Sequence, residues 1–398
     1  MDASRPGGFS NLIGGTAPAT FFGSIFGKRA AAFQGGLRSE PLFGWDQLND
    51  VLNGCRDLPE NVRVLANGDQ TEPEDYQDLL RSLRQGATLF FEDVDRYSRT
   101  LSTFLARLTK ELRCRTRLNL YVSSPGTSGR GLHYDCHDVF VLQIEGSKRW
   151  RIYENSDRAP VHVRKVHLTK APGEAIKPYL DCVLRKGDVL YVPRGHWHHV
   201  EPLDEVSLHL TLGLFVPTGI DFLRWLVEEC TELESMREFL PLRLAFGSDE
   251  EFAGAQQAML AQIAEAFARR ASAPSIVDEY EAFAIASLPN RVPFNLPYSL
   301  ARTEIVAEPD AALVATGHTT KVFGTEDGID LVFSNRVLKL PRNMAAVIDR
   351  ALDGTPFTTN QIRRDMPAAD AALVPEVLRV LLKEGLVRAT REAQFPTD

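Results

Sequence analysis

Two short segments constrain this chain more than anything else in it. Gly131-Leu132-His133-Tyr134-Asp135 contains H-x-D, and the stretch from Gly187 to His199, GDVLYVPRGHWHH, contains G-x(5)-P-x-G-x(2)-H. On a strand, residues i and i+2 project from the same face, so His133 and Asp135 can reach a common point. In the second segment Asp188–Val192 predicts a strand, Pro193-Arg194-Gly195 a tight turn, and the histidines follow. A lone H-x-D arises often by chance; followed roughly sixty residues later by the second motif, it is specific.

Two imidazoles and one carboxylate make the facial triad of non-haem Fe(II) sites, which leaves positions open for a co-substrate and O2. His196, His198 and His199 compete for the distal position, and the Pro-x-Gly-x-x-His spacing selects His198. His196 and His199 then read as surface or neighbouring residues. His137 reads as a polar residue near the site mouth, and Cys136 as a packed thiol. A co-substrate with a distal carboxylate needs a cation. Lys148, in Gly146-Ser147-Lys148-Arg149-Trp150, is the candidate, because an ammonium inside a barrel is best explained by an anionic partner. Arg149 is the alternative, facing the other way. Asn119 and Tyr121 share one strand face and are placed to hydrogen-bond the co-substrate or substrate; Tyr121 as a barrel-filling aromatic is the plainer reading. In Ser207-Leu208-His209-Leu210-Thr211-Leu212 the leucines face an outer packing layer, which turns Ser207, His209 and Thr211 to the cavity. His209 reads as a hydrogen-bonded core histidine before a fourth ligand.

The surroundings fit. Arg117–Val122 alternates, Val139–Ile144, Trp150–Tyr153, Asp188–Val192 and Val206–Phe215 are further short strands, and Ala87–Phe91 is another. Strands at such spacing suggest a sandwich or barrel. Eight of the nine histidines fall between 133 and 209. At 398 residues the chain suggests two or three domains. Residues 1–35 read as a partly ordered lead-in and 36–216 as the metal-bearing β domain. From 217 to 300 the pattern is helical. Ser248 to Glu251 has the form of a capping box, and Phe252, Ala255, Met259, Ile263 and Phe267 form one apolar stripe. The stripe predicts core packing or a homodimer contact. Residues 301–398 predict a small winged-helix-like module: a strand at Val337–Leu340, helices at Met344–Leu352, Thr358–Arg364 and Ala371–Lys383, and a strand at Leu386–Ala389.

A formal net charge of −8 argues against a nucleic-acid coat. No apolar run reaches the roughly 18–20 residues that span a bilayer. Five cysteines without C-x-x-C spacing suit reduced thiols in the cytoplasm.

The segments 119–153, 187–199 and 207–212 resemble the JmjC-containing cupins of the ribosomal oxygenase family, and the resemblance extends over roughly residues 40 to 390. It implies an α+β chain: a double-stranded β-helix (cupin/JmjC jelly-roll), then a helical dimerisation region, then a C-terminal winged-helix module. It implies Fe(II) held by His133, Asp135 and His198, 2-oxoglutarate bound through Lys148, Asn119 and Tyr121, and O2 as the second co-substrate. It also implies hydroxylation of a histidyl or arginyl side chain on a ribosomal protein. One departure is that Phe90 stands where histidyl-hydroxylating relatives carry an arginine; a second is Trp197 beside the distal ligand. Two rivals share the chemistry, a peptide natural-product hydroxylase and an N-methyl demethylase. A third rival is a non-catalytic cupin and winged-helix adaptor, which predicts a damaged triad or a missing cation.

Overall fold

The computed structural model describes residues 8–37, 42–66, 68–125, 131–161, 176–289, 296, 303–308 and 310–390. Part of the quoted resemblance, residues 126–130, lies outside these. In chain order the elements begin with α1 (Phe9–Leu12), α2 (Pro18–Ser24), β1 (Ala31–Phe33), α3 (Trp45–Gly54), β2 (Val62–Ala66), β3 (Asp69–Thr71), α4 (Tyr76–Arg84), β4 (Thr88–Phe91) and α5 (Arg99–Leu112). The strands β5 (Arg115–Ser123), β6 (Asp138–Glu145), β7 (Lys148–Asn155), β8 (Leu180–Leu184), β9 (Val189–Val192), β10 (His196–Pro202) and β11 (Ser207–Phe215) follow. Then come α6 (Gly219–Glu229), α7 (Glu234–Arg237), α8 (Asp249–Ala271), α9 (Ile276–Ala286), β12 (Ala312–Ala315), β13 (Lys321–Gly324), β14 (Ile329–Phe333) and β15 (Arg336–Leu340). The chain closes with α10 (Ala345–Leu352), β16 (Phe357–Thr358), α11 (Thr359–Arg364), α12 (Ala368–Ala371), α13 (Val374–Lys383) and β17 (Val387–Ala389).

The β domain consists of two antiparallel sheets. The larger runs β1-β9-β6-β11-β5-β4-β2-β3, and the smaller runs β10-β7-β8. On β5 and β11 the alternation seen in the sequence sorts the two faces. Leu118, Leu120, Leu208, Leu210 and Leu212 enter one buried cluster with Leu48 of α3, Leu79 of α4 and Leu101, Phe104, Leu105 and Leu108 of α5. Helices therefore cover the outer face of the large sheet. Between the sheets lies a second cluster, with Val139, Val141, Leu190 and Val192 from one and Trp150, Ile152 and Leu184 from the other. This leaves the inward polar residues of β5, β7, β10 and β11 around a shared interior.

The lead-in is more ordered than its composition suggests. Phe9, Leu12, Ile13 and Phe21 are buried in the helix-side cluster, and Phe21 packs 5.7 Å from Phe140 and 5.1 Å from Tyr191, centroid to centroid. The Tyr191 hydroxyl donates to Asp138 at 2.5 Å and accepts the Gly27 N–H at 2.7 Å. Aromatic spacing, too irregular to give a helical period, is what anchors this segment.

The chain divides into two compact units, residues 1–216 with 289–319 and 346–398, and residues 217–288 with 320–345. This crosses the four-part division expected from the sequence, because Val337–Leu340 joins the helical region and not the C-terminal helices. The reason is local. β14 and β15 are joined by Ser334 and Asn335, both at positive φ (41° and 62°), the form of a two-residue hairpin that fixes pairing with the preceding strand. In the same unit α9 packs on β13 and β14, and Trp225, Leu226, Cys230 and Ile276 form its core. In the other unit β12 pairs with β16 and β17, and α13 packs on α11 and on the turn at Thr303–Ala307. Among the described residues no helix is long and apolar enough to cross a membrane.

Candidate metal centre and its pocket

His133 and Asp135 do not lie on a regular strand. They sit in a loop that makes a single antiparallel bridge, His133 with His198. The His198 N–H donates to the His133 carbonyl at 2.8 Å, and the His133 N–H returns to the His198 carbonyl at 3.2 Å. The Gly195 N–H holds the Asp135 carbonyl at 2.8 Å. Gly195 has φ +82°, and a Cβ there would stand 2.8 Å from the Asp157 carbonyl oxygen, so the turn admits glycine alone. The Pro-x-Gly-x-x-His motif thus works as a clamp on the H-x-D loop. A register shift between His196 and His198 re-aims the strand. It tucks Trp197 against Tyr134 at 4.9 Å, with its indole N–H on Ser156 Oγ at 2.7 Å. Trp197 is therefore a buried prop for the loop and does not line the cavity.

One ligand atom from each of His133, Asp135 and His198 falls within 4.8 Å of the others. His198 Nε2 is 3.8 Å from Asp135 Oδ2 and 3.1 Å from His133 Nε2. Each imidazole turns its Nδ1 to a main-chain carbonyl, His133 to Gly131 at 3.0 Å and His198 to His196 at 3.2 Å. A carbonyl can only accept, so Nδ1 carries the proton and Nε2 keeps its lone pair. Two lone pairs and a carboxylate therefore converge. That arrangement is repulsive until a cation occupies it, and the donor set fits a divalent metal.

A pocket open to solvent, about 660 Å³ with the solvent space of its mouth included, joins this cluster to Lys148. Tyr121, Thr211, His209, Ser123, Thr88 and Trp150 line it as well. Lys148 is only 2% exposed, and its ammonium contacts Ser123 Oγ at 2.8 Å and His209 Nδ1 at 3.1 Å. Burial pulls its pKa down from 10.5 to about 7. Burial, and then the neighbouring Lys148 charge, push His209 well below the usual imidazole range. His209 is thus a neutral acceptor in the cavity wall and lies apart from the metal-ligand cluster. Arg149 faces outward, where Asp181 takes its guanidinium through two 2.8 Å hydrogen bonds.

Not every expected contact reaches the cavity. Asn119 shares the β5 face with Tyr121, but its side-chain oxygen accepts the Asp93 N–H at 3.1 Å and it does not line the pocket. Asp93 sits at φ 47°, and Arg117 grips its carboxylate at 2.6 Å, so Asn119 is committed to holding that turn. His137 stacks on Phe215 at 4.6 Å and is likewise outside the cavity wall. His196 is buried, with Nδ1 2.9 Å from the Tyr179 hydroxyl. Ser123 was legible but unread: it continues the alternation of residues 119 and 121. Phe90, Tyr121 and His209 are register partners on β4, β5 and β11 and stack at 4.7 and 4.8 Å. Tyr121 is held as the middle ring of that column, so its filling and lining roles coincide.

Residues 96–222, which carry the whole cluster, match the JmjC domain family. The match to the JmjC domain spans about a third of the chain. The chain is 29% identical over 221 residues to the bifunctional lysine-specific demethylase and histidyl-hydroxylase NO66 of Dictyostelium discoideum, covering 53% of this chain and 43% of that one. Ribosomal oxygenase 1 of Bos taurus is 39% identical over 137 residues, 33% of this chain and 20% of that protein. The chain spans less than half the length of these curated relatives. The Escherichia coli ribosomal oxygenase YcfD, solved with cobalt and 2-oxoglutarate, superposes with a TM-score of 0.61 at 18% identity, covering 94% of this chain and 98% of that one. That likeness places the JmjC domain and the elements around it in one shared fold.

Proposed function

We propose that this chain is an Fe(II)- and 2-oxoglutarate-dependent oxygenase that hydroxylates a histidyl or arginyl side chain of a ribosomal protein. One observation carries the reading: a two-histidine, one-carboxylate cluster shares a cavity with a buried lysine whose partners among the described residues, Ser123 and His209, are neutral. Fe(II) with 2-oxoglutarate and O2 supplies oxidative decarboxylation and hydroxylation of an unactivated C–H bond. His133, Asp135 and His198 hold the metal and leave its other positions open. Lys148 pairs the distal carboxylate, with Ser123 and His209 fixing its head and Tyr121 and Thr211 closing the walls. Trp150, Val192 and Val200 keep water from the interior. Asn119 acts one step away, by fixing the turn at Asp93.

The names of the relatives support a ribosomal protein as substrate. They also favour a second reading, N-methyl demethylation by the same centre. The adaptor reading loses support, since neither the triad nor the cation is damaged. The elements from β12 to β17 are read as a winged-helix module, except that β13–β15 group with the helices. Residues 217–300 are read as the dimerisation region. On α8 the stripe Phe252, Ala255, Met259, Ile263 and Phe267 is only half-covered, and Phe239 and Leu244 nearby are 95% and 100% exposed, which a second copy would bury. A cytoplasmic setting agrees with five free cysteines.

The test is mass spectrometry of ribosomal proteins incubated with the protein, Fe(II) and 2-oxoglutarate, beside a His133→Ala control. A gain of one oxygen on one protein, absent in the control, supports the hydroxylase. Loss of a methyl group supports the demethylase. Neither change, with no succinate formed, overturns the reading.

A further inference from the structure

Between Lys148 and the cluster of His133, Asp135 and His198 stands a polar group with no acceptor among the described residues. On β7 the inward residues are Lys148, Trp150 and Ile152, and their register partners on β10 are Pro202, Val200 and His198. Trp150 therefore lies two residues from Lys148 and two from the level of His198, about 7 Å each way at the rise of a strand. It is 4% exposed, it lines the cavity, and its ring centre stands 5.9 Å from that of His198 and 5.7 Å from that of His209. Its indole N–H is buried and meets no acceptor among the described residues. It is the one such group among them that lines the cavity. Indole nitrogen is a donor only, and a buried donor without an acceptor is costly. Trp197, by contrast, gives its N–H to Ser156.

We propose that Trp150 is a positioning residue for the co-substrate, donating its indole N–H to an oxygen of the bound dicarboxylate midway between Lys148 and the metal. This rests on the reading of the cavity as a 2-oxoglutarate site and adds a third anchor to it. A five-carbon acid held at both ends still rotates about its length. A side donor fixes that rotation and so fixes which metal position stays open.

The test uses the full chain loaded with Zn(II), a diamagnetic stand-in for iron. Its four tryptophans give four indole N–H signals in a ¹⁵N-labelled sample, each assigned by a single Trp→Phe variant. Calorimetry with 2-oxoglutarate runs alongside. The expected result is binding with a downfield shift of the Trp150 indole proton and little change at Trp45, Trp197 and Trp225. Trp150→Phe keeps the ring and should bind roughly 10- to 100-fold more weakly, the size of one hydrogen bond to a charged acceptor. Binding with an unmoved Trp150 signal overturns the proposal and leaves the 2-oxoglutarate site standing. No binding to the wild type overturns both.

Discussion

Replacing Lys148 by Met removes a charge from the interior while keeping a flexible chain of similar length. In the fold the ammonium has no carboxylate partner among the described residues, and burial lowers its pKa from 10.5 to about 7. At 1.36 kcal/mol per pH unit, holding it charged below pH 7 costs about 5 kcal/mol. The unfolded chain keeps this proton up to 10.5 and the fold releases it at about 7. Between these values the unfolded state binds more protons, so wild-type stability rises with pH, and below 7 the full cost is felt. The Lys148→Met variant has no such dependence. It loses the contacts to Ser123 and His209, worth about 1 kcal/mol each. The metal-free variant should therefore be more stable than the wild type at pH 6, by about 2–3 kcal/mol. Urea unfolding of both proteins from pH 6 to 9 reads the effect. Groups away from Lys148 cancel in the difference and His209, which the Lys148 charge lowers, titrates below this window, so between pH 7 and 9 the wild type should gain about 2 kcal/mol on the variant. A difference flat in pH would refute the reasoning. The same substitution should weaken 2-oxoglutarate binding about 30-fold or more, as loss of one partner of a buried ion pair does.

Asp135→Ala should lower divalent-metal affinity by more than about 100-fold in equilibrium dialysis, since partners one shell out are already worth about 10–100-fold; unchanged affinity would remove Asp135 from the site. Wild-type affinity for 2-oxoglutarate should fall as pH rises above about 7, where Lys148 loses its proton before binding, and calorimetry in two buffers should detect proton uptake there. Gly146→Ala should cost about 2 kcal/mol or more in thermal unfolding, because φ is +63° and the new Cβ would stand 2.4 Å from the Val206 carbonyl oxygen. Leu212→Ala, at a fully buried position of β11, should cost about 2–5 kcal/mol without changing metal affinity.

What the sequence disclosed follows the range of each signal. The convergence of His133, Asp135 and His198 and the inward placing of Lys148 were readable because motif spacing and strand alternation are local, and β5, β7 and β11 obey a period of two. The loop under His133 was not, since its geometry comes from a bridge to a segment 65 residues away. Strand β10 was hidden by its histidines, which read as a cluster and not as a ladder with β7. Asn119 misled for a related reason: alternation gives the face, and only the turn at Asp93 reveals that the amide is already engaged. The unmet indole of Trp150 has no sequence signature, because a missing acceptor is a property of the whole cavity.

The proposed function requires that one cavity take Fe(II) through His133, Asp135 and His198 and 2-oxoglutarate through Lys148. Its most direct test is an anaerobic titration of Fe(II) and then 2-oxoglutarate into the full chain, read by visible absorption. The charge-transfer band of the Fe(II)–2-oxoglutarate complex should appear at one equivalent of each, be absent in Asp135→Ala and be reached in Lys148→Met only at far higher 2-oxoglutarate. No band in the wild type, or an undiminished band in Asp135→Ala, would contradict it.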